Sequence, residues 1–228
     1  MTEDRSGRII SSGIVSLDAA LNKGGFKKGT LVIYRGDASS RKDLFGYHFL
    51  LDGLLKGENA VFYDVEASSD EIMDIFTENG TVHYPGELTF VDACPEYSKF
   101  YINAVPAKII DHMKNTEGVN RVLINPLTFF VEKFGVKDTG DFLIRIRDIA
   151  MKKKLVIVLL MADILNDLDM QSIIDKCDGI IELGTLRSVD KPYHTIKINK
   201  FGVGQKHIHM TYVVRDENII VSTFENIR

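Results

Sequence analysis

Residues 31–43 read L-V-I-Y-R-G-D-A-S-S-R-K-D, an apolar run leading into a polar octapeptide that begins at Gly36. A loop that wraps a phosphate reads G-x-x-x-x-G-K-[ST]. Its glycines let consecutive backbone N–H groups turn inward, and its lysine reaches the anion. Gly36 and Lys42 stand at the required spacing. Arg41 stands where the second glycine belongs, and Asp43 where a hydroxyl would ligate magnesium. The stretch is a half-match, and its surroundings decide what it means.

Apolar runs of strand length recur at Leu31–Arg35, Ala60–Val65, Leu88–Asp92, Arg121–Asn125 and Leu155–Met161. Several are apolar on both faces, as parallel strands covered by helices on both sides must be. Helix-length amphipathic segments lie between them, near 42–56, 68–77, 100–116 and 138–153. In the last, Phe142, Ile146 and Ile149 fall on one stripe. This alternation predicts an α/β fold with a doubly wound, mainly parallel sheet. Beyond a helix over 164–176 the pattern changes. Gly179–Leu183, His194–Asn199, Ile208–Val214 and Asn218–Val221 are strand-like, with a turn-like join at Arg215-Asp216-Glu217-Asn218. They predict antiparallel strands extending one sheet edge. Ligands of such sheets gather at the carboxyl ends of the strands, and the octapeptide follows the first of them.

The 228 residues read as a single domain over 1–228, with 45% hydrophobic and 26% charged residues. A net charge of −4 leaves no overall electrostatic footprint for nucleic acid. Cys94 and Cys177 stand far apart, and both read as small core residues of a reducing compartment. The polar N-terminus does not read as a signal peptide, and the apolar run Leu155–Ala162 is too short to span a bilayer, so a cytoplasmic location is expected.

The stretch S-G-I-V-S-L-D-A-A-L-N-K-G-G-F-K-K-G-T-L-V-I-Y-R-G, residues 12–36, resembles the opening segment of the KaiC/RadA branch of RecA-like ATPases. So do G-E-N-A-V-F-Y-D-V-E-A-S-S-D-E-I (57–72), the family's second strand, and R-V-L-I-N-P-L-T (121–128), its Walker B strand. C-D-G-I-I-E-L (177–183) and I-N-K-F-G-V-G-Q (198–205) are similar to its final segment. The order and spacing of these motifs carry the resemblance over nearly the whole chain. It implies a RecA-like fold and, as family members commonly show, assemblies with ATP between subunits.

The resemblance also locates departures. Phosphoryl transfer to water needs a backbone cradle, a charge clamp, a magnesium ion and a positioned water. The candidate nucleotide positions are Gly36, Ser39, Ser40, Arg41, Lys42 and Asp43. Of these, Ser39 and Arg41 occupy glycine positions of the family loop, and an arginine at positive φ costs roughly 1 kcal/mol. Lys42 remains as a possible clamp. Asp43 puts a carboxylate where the family has a neutral hydroxyl, near where a triphosphate would lie. Asn125 holds the Walker B position. Glu66 matches the first of two family glutamates, as a base or simply as an exposed loop carboxylate, and Ala67 replaces the second. The family's K-x-R-G finger aligns with Asn199, Lys200, Phe201 and Gly202, without the arginine.

Five departures together predict a degenerate site with no catalytic cofactor, in which Arg41, Lys42, Asp43, Asp64 and Glu66 neutralise one another. The expected function is a pseudo-ATPase that binds a protein partner or itself across that site. The alternatives are an unusual ATP-binding protein using Lys42 and Glu66, and a recombinase-like nucleic-acid binder, against which the acidic charge weighs. No metal site is expected: His207 and His209 share a strand face without a third ligand, and ordinary strand histidines are the plainer reading. Met151-Lys152-Lys153-Lys154 reads as a helix C-terminal cap, and Phe129-Phe130-Val131 as core.

Overall fold

The computed structural model describes residues 9–21, 24–66, 83–92, 102–186, 193–201 and 208–223. The expected helix over 68–77, Cys94, Gly202 and His207 lie outside them. Eleven strands are present among the described residues: β1 (Ile9–Ile10), β2 (Phe26–Lys27), β3 (Leu31–Gly36), β4 (Asn59–Asp64), β5 (Leu88–Asp92), β6 (Val119–Asn125), β7 (Val156–Met161), β8 (Gly179–Leu186), β9 (Tyr193–Phe201), β10 (Ile208–Arg215) and β11 (Asn218–Thr223). The helices are α1 (Val15–Ala20), α2 (Lys42–Leu55), α3 (Val105–Asn115), α4 (Leu127–Lys153) and α5 (Asp167–Ile174).

β1 and β2 pair as a small antiparallel ribbon, and the other nine strands form one sheet in the order β11-β10-β9-β8-β3-β7-β6-β4-β5. Alternation along β3 shows how the sheet is buried. Leu31 and Ile33 face a core shared with α3, α4 and α5, while Val32 and Tyr34 face a second core under α1 and α2. The mainly parallel, doubly wound sheet expected from the sequence is therefore present. β8 corrects one detail: it pairs in parallel with β3, and the antiparallel wing begins only at β9. The β10–β11 hairpin turns through Asp216 and Glu217, both at positive φ (46° and 61°), the twist a two-residue hairpin requires.

The expected helix over 138–153 is present as the second part of α4; a further helical stretch from Leu127 precedes it, and the two meet at Gly135, whose φ of 76° and ψ of 170° are not helical. The bend brings Phe130 and Phe142 into a stack 4.6 Å apart, so both halves stay in one core. Phe129, Phe130 and Val131 are buried, as expected of core residues. Lys152 and Lys153 lie in the last turn of α4 with Lys154 at its C-cap, as expected, and Lys153 also caps α3: its Nζ donates to the carbonyls of Lys114 and Thr116 and to Glu117 Oε1 at 2.7, 2.8 and 3.0 Å. No helix among the described residues is long and apolar enough to cross a membrane.

Arg121 on β6 is only 1% exposed. Its Nε donates to Glu58 Oε2 at 2.5 Å and its Nη2 to Asp52 Oδ2 at 2.9 Å. Its Nη1 donates to the carbonyls of Phe49 at 2.5 Å and Ser11 at 2.9 Å. The guanidinium lies 4.9 Å from the centre of the Phe49 ring. Gly53 makes the room: a Cβ there would lie 2.4 Å from Arg121 Nε. Replacing Arg121 with methionine would take the partner from Glu58 and two carbonyls, leaving Asp52 to Lys56, and is expected to cost about 3–5 kcal/mol. Thermal melting is the measurement, with a fall of roughly 10 °C or more as the expected result.

Candidate functional site

The half-matched loop leaves β3 at Gly36 and enters α2 at Lys42, at the carboxyl edge of the sheet. Gly36 admits no side chain, because a Cβ would meet Ser40 Oγ at 2.4 Å and Leu183 O at 2.6 Å. Ala38–Ser40 then form one turn of 3-10 helix with Asp37 as its N-cap. The Asp37 carboxylate accepts the Ser40 N–H at 2.9 Å and the Ser39 hydroxyl at 2.7 Å, while Ser40 Oγ donates to Asp37 O at 2.6 Å. The Ser39 hydroxyl bond, foremost, holds the Asp37 carboxyl below its ordinary range; desolvation, next in size, opposes it, and the backbone N–H groups of Ser40 and Ser39 and the charge of Lys42 add to the lowering.

The loop is also braced by the antiparallel wing. Tyr212 on β10 donates its hydroxyl to Ser40 O at 2.5 Å. Ser39 Oγ meets Thr185 Oγ1 at 2.9 Å, and Thr185 Oγ1 meets His194 Nδ1 at 3.1 Å. His194 stacks on Tyr212 with ring centres 4.9 Å apart. Thus β8 and β10 touch the four-residue turn directly, and β9 backs them through His194.

Arg41 adopts the left-handed conformation, φ 50° and ψ 41°, at the position where the family loop has glycine. Its Nε lies 3.4 Å from both oxygens of Asp43, whose carboxylate sits in the first turn of α2. Both side chains are over 40% exposed, so the pair is worth well under 1 kcal/mol. It nevertheless assigns each charge a partner inside the loop.

Strand ends β4 and β6 lie side by side, with Asp64 opposite Asn125. Asp64 is fully buried. It accepts Asn125 Nδ2 at 2.7 Å on one oxygen and the Glu66 N–H at 2.8 Å on the other. Asn125 is thus the donor that a buried neighbouring carboxylate demands. Glu66 is exposed, yet its pKa is raised, first by partial desolvation and then by Asp64 and Glu132, with Lys42 opposing.

The structure brings Gly36 through Asp43 together at the loop and sets Asp64, Glu66 and Asn125 at neighbouring strand ends. It does not bring the finger positions there. Asn199 and Lys200 lie on β9 beside the start of β8, with Lys200 opposite Ile180, whereas the loop adjoins Leu183 further along β8. Within one chain they stand toward the opposite edge of the sheet. His209 is exposed and lines a cleft of about 320 Å³ with Arg35, Asp163, Glu182 and Lys197, where Arg35 pairs with Asp163 and, at 3.6 Å, Glu182. Among the described residues no cluster of three metal-ligating side chains occurs. Asp37, Thr185, His194 and Tyr212 did not emerge as site residues from the sequence; only D-x-S-S, a local turn-capping pattern, marked the first of them.

Compared with known proteins, residues 10–225 match the family model described as KaiC ATPase. The chain is 41% identical to the RecA protein of Ehrlichia chaffeensis over 61 residues, 27% of this chain and 17% of that protein. It is 35% identical to RecA of Macrococcus caseolyticus over 69 residues, 30% and 20% of the two chains. The match thus spans a fifth or less of these curated relatives. The crystal structure of the KaiC-like protein PH0186 from Pyrococcus horikoshii superposes with a TM-score of 0.73 at 17% identity, over 94% of this chain and 99% of that one. This last likeness is one of fold.

Two outcomes are expected from this geometry. Asn125→Asp replaces the donor to buried Asp64 with a second carboxylate and should cost about 2–3 kcal/mol, read as a fall in melting temperature of roughly 4–10 °C. Asp37 should titrate below an unfolded aspartate in a carboxyl-carbon NMR titration. Because its folded-state pKa is lowered, its contribution to stability is complete above the unfolded value and disappears as pH falls through the lower folded one.

Proposed function

The chain belongs to the KaiC family of ATPases, and from that premise we propose that it is a member without ATP hydrolysis, acting as an interaction or assembly module. One observation carries the reading: both positions that would serve magnesium are engaged with protein groups. Asp43 faces Arg41, and Asn125 gives its amide to Asp64. A magnesium–triphosphate complex needs a neutral hydroxyl at the first position and an available carboxylate at the second. The residues present do not fit it, so no phosphoryl-transfer step is assigned to them.

The partner class that suits this reading is another protein or a second copy of the chain, meeting it across the former nucleotide edge. The raised pKa of Glu66 and the retained Lys42 favour the alternative, an unusual ATP binder. Nucleic acid is the least suited partner, given the net charge of −4.

Calorimetry and thermal melting with millimolar Mg-ATP distinguish these readings. The expected results are no bound nucleotide in the purified chain, no turnover and no ligand-dependent rise in melting temperature. A rise of several degrees together with turnover, both abolished by Lys42→Ala, overturns the proposal. A salt-dependent gel shift with single-stranded DNA would instead establish the nucleic-acid reading.

A further inference from the structure

In the family to which the chain belongs, the loop before α2 is where a phosphate would sit, its N–H groups and the helix dipole directed at the anion. Here an anion is already supplied by the chain. The Asp37 carboxylate accepts the Ser40 N–H and the Ser39 hydroxyl, one residue after the glycine that opens the loop. Its position is fixed from outside: Tyr212 holds Ser40 O, and Thr185, backed by His194, holds Ser39 Oγ. Asp37 is covalently tethered to the donors it contacts, so its effective concentration there far exceeds that of any free anion. Asp43 adds a second negative charge at the mouth of the helix, partly offset by Arg41.

We propose that Asp37 is an internal occupant of the phosphate seat, a tethered carboxylate that engages the Ser40 N–H and closes the loop to phosphoanhydrides chiefly by repelling their charge. The inference deepens the reading that the site takes no nucleotide, and rests on it. Toward the bare anion Asp37 is then the nearest removable charge, and the cradle beneath it keeps its form, with Arg41 holding the left-handed turn that glycine would otherwise supply.

The test is titration calorimetry of the full chain with magnesium-free pyrophosphate, on wild type, Asp37→Ser, Asp37→Asn and Asp37→Ser/Lys42→Ala. Removing one negative charge within a few ångströms of the anion is expected to raise affinity about tenfold or more. Wild type should be silent at millimolar pyrophosphate, both single variants should bind, and the double variant should be silent again. Asp37→Asn keeps a side-chain oxygen to cap Ser40, so it carries the test if the serine variant melts. Silence of a folded Asp37→Asn overturns the inference and leaves the proposed function standing. Wild-type binding as tight as that of the variants, and dependent on Lys42, overturns both.

Discussion

Arg121 carries a full charge into the interior and is tolerated there because four hydrogen bonds and one aromatic face receive it. Those partners come from the N-terminal segment (Ser11), from α2 (Phe49 and Asp52) and from the approach to β4 (Glu58), so a single guanidinium fixes how three stretches of chain meet β6. Lysine could not replace it, since a point charge cannot reach carboxylates and carbonyls in several directions at once. α2 is the helix whose first turn forms the far side of the loop. The guanidinium therefore sets the floor on which the loop's geometry rests.

With α2 held, the loop's composition decides its chemistry. Two carboxylates, Asp37 and Asp43, and two cations, Arg41 and Lys42, occupy a span built in the family around an external anion. Nearby, Asp64 and Asn125 pair across strand ends in the same self-contained way. In both places polar side chains are satisfied by one another, and the exposed Arg41–Asp43 pair contributes orientation more than stability.

Much of the fold was legible because burial on both faces leaves a strong mark. Leu31–Tyr34 and Val156–Met161 admit no reading other than covered strands. Neighbours were harder. Gly179–Leu183 is plainly a strand, yet whether it joins β3 in parallel or a later strand in antiparallel is settled by hydrogen bonds across more than a hundred residues. The helical stretch from Leu127 to Gly135 lay outside the expected helix, whose stripe of Phe142, Ile146 and Ile149 begins only beyond the glycine; the Phe130–Phe142 stack keeps the two parts together. At the site, motif spacing drew attention to Lys42 and Asp43, while Asp37 acts through a local capping turn that the motif ignores. Thr185 and Tyr212 reach the loop, and His194 backs them, from far along the chain, where periodicity carries no information.

Arg41 adopts a backbone shape that favours glycine, and the chain there follows the contour of a glycine-bearing loop all the same. The strand behind and the helix ahead dictate that path, and a single residue absorbs the modest strain of following it. Backbone path and side-chain content are thus separable at this position: Arg41 supplies the left-handed turn while its guanidinium points to Asp43.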